Sequence, residues 1–66
     1  MGFEEKKALA EKVAVQVGWS VFSVMCEIDE VSELFEEIKK SGYNINTNID
    51  ERFLVERIRM KNILGM

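Results

Sequence analysis

Sixty-six residues, 47% of them apolar and 32% charged, with no proline and a net charge of −3, describe one small folded domain. No histidine and a single cysteine, Cys26, exclude a Ser–His–Asp or Cys–His catalytic arrangement, an internal disulfide and a structural zinc site within one chain. The four glycines stand at 2, 18, 42 and 65, too far apart for a phosphate-cradling loop.

The opening run EEKKALAEK consists of good helix formers, with acids ahead of most bases as the helix dipole prefers. Phe3, Ala10, Val13, Ala14 and Val17 can share one face, which predicts a first helix from about Phe3 to Gln16.

Between Val13 and Val21 two patterns compete. Valines and Trp19 occupy every odd position, the alternation of a half-buried strand. The same letters fit helix, turn at Gly18, helix, with Ser20 as N-cap, and strong helical signals on both sides favour that reading.

The central stretch, Ser20 to Ser41, carries Val21, Val24, Ile28, Val31, Phe35 and Ile38 at steps of three and four, an apolar stripe on a helix. Glu27, Asp29, Glu30, Glu33, Glu36 and Glu37 are expected on the opposite face, with Lys39 and Lys40 at the carbonyl end and Gly42 just beyond it. Cys26 falls near the stripe and reads as a small buried hydrophobe.

After Gly42, the residues YNINTN alternate again and read as a connection with Ile45 tucked into the core, or as a short strand. Asn48 and Glu51 have the spacing of a capping box. The last helix, about Ile49 to Leu64, has Ile49, Phe53, Met60 and Ile63 in heptad register, with Leu54 and Ile58 widening the face. The expected architecture is therefore all-α: a single domain over 1–66 of three helices, the central one longest. The alternative is β-α-β-α, with strands near 13–25 and 43–49.

A stripe that overreaches its neighbours exposes apolar surface, which predicts a homodimer built along the central helix through Val21, Val24, Ile28, Val31, Phe35 and Ile38. Trp19 and Phe22, beside the Gly18 joint, are the expected contact for another protein. The longest apolar run is short and interrupted and no basic leader precedes it, so no membrane span and a cytoplasmic location are expected.

Two local resemblances bear on function. The residues DEVSELFEEI resemble the E-E-V-G-E-L helix of MazG-type nucleotide pyrophosphohydrolases, all-α enzymes that bind Mg²⁺ and a nucleoside triphosphate. The resemblance implies metal-ligating roles for Glu30 and Glu33, with Glu37 as a further candidate. Ser32 stands where that motif has Gly, and the second pair, an E-x-x-D on a following helix, is absent. LAEKVAV, residues 9–15, resembles the first helix and turn of a helix-turn-helix repressor, with Ala14 where Gly is usual. The helix that would enter the groove reads GWSVFSVMCE and offers no Arg, Lys, Asn or Gln to bases. Arg52, Arg57, Arg59 and Lys61 on the last helix are the better phosphate-contacting candidates.

With catalytic equipment so sparse, the reading is a non-enzymatic protein-interaction module that self-associates and needs no cofactor. A small DNA-binding regulator is the alternative, and a Mg²⁺-dependent nucleotide-processing enzyme remnant the third.

Overall fold

A computed structural model describes residues 2–44 and 48–65 as three helices: α1 (Phe3–Val17), α2 (Val21–Lys40) and α3 (Glu51–Leu64). There is no strand among the described residues. The alternation at Val13–Val21 is divided between the end of α1 and the start of α2. Val13 and Ala14 turn inward while Val15 stands exposed, so helical period overrides the alternation. Of the proposed strand at 43–49, residues 45–47, and with them Ile45 and Thr47, lie outside the described residues; Tyr43, Asn44, Asn48 and Ile49 are not strand.

Gly18 makes the first joint. Its φ of 74° lies in the left-handed region, its N–H donates to the Ala14 carbonyl at 2.9 Å, and α1 and α2 are bent by 115° about the break. Ser20 then caps α2, its Oγ accepting the Ser23 N–H at 3.1 Å. The cap of α3 differs from the expected Asn48–Glu51 box. Asp50, one residue before the helix, accepts the Phe53 N–H at 2.8 Å, because α3 starts at Glu51 rather than Ile49. A carboxylate there also faces the positive end of the helix dipole.

α1 is the element against which the others pack. It lies on both α2 and α3, whereas the backbones of α2 and α3 scarcely approach each other. Its buried residues are small, Ala10, Val13 and Ala14, which lets two helices come close to one. Around them gather Val24 and Ile28 of α2 and Leu54, Val55 and Ile58 of α3, with Trp19 as a partly buried cover. Across the gap between α2 and α3, the rings of Phe35 and Phe53 meet at 5.8 Å, tilted by 51°.

Two expectations about faces need correcting. Val24, Ile28 and Val31, read as a dimer seam, are no more than 1% exposed and belong to this chain's own core. The middle of the α2 stripe is covered within one subunit, because α1 folds back over it. On α3 the heptad faces inward only in its first half, where Ile49 and Phe53 pack against the core. Leu54, Val55 and Ile58 carry the burial, while Met60 and Ile63 are exposed.

Gly18→Ala should cost about 1 kcal/mol of stability in urea denaturation. No atom lies within 4 Å of an added Cβ, so the whole cost is the left-handed backbone imposed on a residue with a side chain. Gly2→Ala, equally uncrowded but at φ −73°, carries no left-handed backbone cost and should lose less in the same measurement, by only the weaker N-cap preference of Ala.

Candidate functional site

The chemistry of the molecule concentrates where α2 and α3 face each other. Val24, Glu27, Ile28 and Val31 follow one another at i, i+3, i+4 and i+7, so Glu27 shares the inward stripe of α2 with three core residues. On α3 the same spacing is filled by Leu54, Arg57, Ile58 and Lys61. An acid inside one stripe thus meets two bases inside the other. Arg57 Nε donates to Glu27 Oε1 at 2.5 Å and Lys61 Nζ donates to Oε2 at 2.8 Å, so each carboxylate oxygen has its own cation. Lys61 also lies 3.6 Å from Glu30.

Glu27 is 4% exposed, yet no buried side-chain nitrogen or oxygen among the described residues lacks a hydrogen-bond partner. Burial by itself raises the pKa of its carboxyl. Hydrogen bonds from Lys61 and Arg57, with their charges, outweigh that and hold it below the usual carboxylate value. The ionised form is therefore native, and it depends on both bases remaining in place.

An open groove of about 570 Å³ runs along the outer side of this bridge, lined by Glu30, Glu33, Leu34, Glu37, Lys40 and Arg57. A smaller one of about 330 Å³ lies along α3 between Arg57, Met60, Lys61 and Leu64. Arg57 borders both.

The residues expected to bind metal do not converge. Glu30, Glu33 and Glu37 line the larger groove, but Glu30 leans to Lys61 and Glu37 to Lys40 at 3.8 Å. Among the described residues no group of three carboxylates or other ligands is close enough to hold an ion. Carboxylates from one helix face supply one side of a coordination sphere, and among the described residues no second helix supplies the facing pair.

Of the four basic residues proposed for nucleic acid, Arg57 and Lys61 are occupied by Glu27, and Arg52 pairs with Glu56 at 3.3 Å. Among the described residues, Arg59 is the one of the four without an ion pair. The α1–α2 joint does have helix-turn-helix proportions, three connecting residues and a 115° bend. The helix it presents shows Phe22, Ser23, Cys26, Asp29 and Glu30 on its exposed side, an apolar and acidic surface that phosphates repel.

Of the interface candidates, Val21, Phe35, Ile38 and Trp19 are half-buried and Phe22 is 75% exposed. Cys26 is exposed rather than buried, since it lies one step outside the stripe. Glu27, expected on the acidic face, is instead buried in the inward stripe. Its signal is its spacing between Val24, Ile28 and Val31, matched on α3 by two bases.

Searches against family models, curated proteins and solved structures find no match to this chain.

Glu27→Gln should destabilise the fold by about 2–3 kcal/mol at pH 7, because two partly buried cations lose their counter-charge. The carboxyl's pKa is lowered on folding. Its contribution is therefore complete above its ordinary value of 4.5 and disappears as pH falls through the lower folded value. The gap between wild type and Glu27→Gln, measured by urea at pH 7 and at successively lower pH below 4.5, should shrink as the pH falls. Cys26 should react with a water-soluble maleimide in the native state at a rate close to that of the unfolded chain.

Proposed function

We propose that this protein is a non-enzymatic protein-interaction module that associates with itself. The observation that carries the reading is the outer side of α3, where Met60, Ile63 and Leu64 are 57%, 80% and 60% exposed in sequence positions that form one apolar stripe. Phe22 and Leu34 on α2 add to the uncovered apolar surface.

The size of the surface supports the same reading. The chain exposes 4776 Å², where a compact monomer of its mass exposes about 4300 Å². It is also flat, 35 × 30 × 16 Å, so that its shortest dimension holds about two helix layers. A molecule this thin covers its core from few directions, and a partner completes it. Small proteins near the lower size limit for a self-sufficient core commonly gain stability this way.

The DNA-binding alternative is weaker, because three of its four bases already serve ion pairs and the exposed side of α2 is acidic. For a metal-dependent activity, no group of three carboxylates or other ligands among the described residues is placed to hold an ion.

Association makes folding stability depend on protein concentration. Thermal melts followed by circular dichroism should shift upward by several degrees between about 5 μM and 500 μM, with light scattering giving twice the chain mass at the higher concentration. A concentration-independent melt and a monomeric mass at 500 μM would remove the proposal. Mobility shift with duplex DNA at physiological salt should show no binding, and Arg59→Ala should change nothing in that assay.

A further inference from the structure

α3 divides at Ile58. Up to that residue Leu54, Val55 and Ile58 are buried and Phe53 packs on the core, so the first half of the helix is held by apolar contacts. Beyond it, Arg59, Met60, Asn62, Ile63, Leu64 and Gly65 are exposed, and none of the large apolar residues among them belongs to the core or its cover. Lys61 is the exception. Its side chain is 24% exposed, its Nζ donates to Glu27 Oε2 at 2.8 Å, and it lies 3.6 Å from Glu30. A helical stretch this short, with no apolar burial, does not hold its shape unaided.

The other helix ends are held differently. α2 keeps Phe35 and Ile38 half-buried close to its end, and α1 enters the Gly18 joint with Val13 and Ala14 buried and Val17 half-buried. The start of α1 is the nearest parallel, since Lys6 is half-buried among exposed neighbours and pairs with Asp29 of α2 at 3.0 Å. The two acids differ. Asp29 is 60% exposed, so water replaces Lys6 there at little cost. Glu27 is 4% exposed, and its charge-assisted hydrogen bond to Lys61 is one that water replaces poorly.

We propose that residues 59–65 form a strap latched to the body of the protein by the Lys61–Glu27 bridge, and that the strap opens while α1, α2 and the first half of α3 stay folded. Arg57 makes the open state accessible. It precedes Ile58 and so stays with the body, where it keeps Glu27 paired after Lys61 has left. Opening also dismantles the groove of about 330 Å³ along α3, because Met60, Lys61 and Leu64 of its lining lie on the strap and Arg57 alone does not. The latch thereby decides whether Met60, Ile63 and Leu64 are presented on a fixed helix or on a loose segment.

The experiment is hydrogen exchange read by mass spectrometry for wild type, Lys61→Met, Lys61→Arg and Lys6→Met, at about 5 μM to limit association. Methionine keeps the stem length and helix preference of lysine and removes its charge. In Lys61→Met, exchange over residues 59–65 should quicken about ten-fold or more, with α1, α2 and residues 51–58 unchanged. Lys61→Arg keeps the cation and should retain most of the protection. Lys6→Met should leave residues 59–65 unchanged and quicken the start of α1 by much less. Wild type supplies a reading that needs no variant: exchange over residues 59–65 should hardly depend on urea below the unfolding transition, the mark of an opening that exposes little surface. Three results would each overturn the latch. They are unchanged exchange over residues 59–65 in Lys61→Met, a quickening spread over all three helices up to loss of the fold, and a steep urea dependence of wild-type exchange in that segment.

Discussion

The structure depends on a carboxylate that has no business in a core unless two cations come with it. Glu27 sits in the inward stripe of α2, and a buried carboxylate without partners is among the costliest groups a small protein can hold. Arg57 and Lys61 remove that cost by occupying the same stripe positions on α3. The consequence is architectural. α2 and α3 each pack on α1 but not closely on one another, and long side chains, with the Phe35–Phe53 contact, span the space that backbones leave open. A buried ion pair contributes less to net stability than an apolar contact of equal volume, but its geometry is directional. The carboxylate orients α3 rotationally: only one setting of that helix delivers Arg57 and Lys61 together to the two oxygens of Glu27.

That setting also determines what α3 shows to solvent. With Arg57, Ile58 and Lys61 turned inward, Met60 and Ile63 must turn out. The internal polar bridge and the exposed apolar stripe are therefore two results of one rotation. The same rotation accounts for the weakness of the basic patch, since the cations that would have answered phosphates are spent on an internal acid.

Helix content was readable along the chain because it is local. The three- and four-residue recurrence of apolar positions, Ser20 ahead of α2, Gly18 between two helical runs and Gly65 after the last are signals that each segment carries within itself. Where two local signals competed, as at Val13–Val21, continuity with the flanking helical runs decided it. The cap of α3 lies two residues beyond the expected Asn48, because Asn48 and Asp50 are both competent cap residues and only the start of the helix chooses between them.

What the sequence by itself determined was that this chain makes three amphipathic helices joined at Gly18 and after Ser41, and that it lacks the histidines, paired cysteines and glycine loops of the commonest catalytic sites. Which apolar residues would be inside was settled only in three dimensions. Val24, Ile28 and Val31 are buried within the subunit, so the middle of the stripe expected to seek a partner is consumed at home, while Met60 and Ile63 of the α3 heptad are left outside. The sequence lists the apolar and charged positions of each helix, but the rotation of one helix against another is a property of pairs. Here it was set by an acid on α2 meeting two bases thirty and thirty-four residues away.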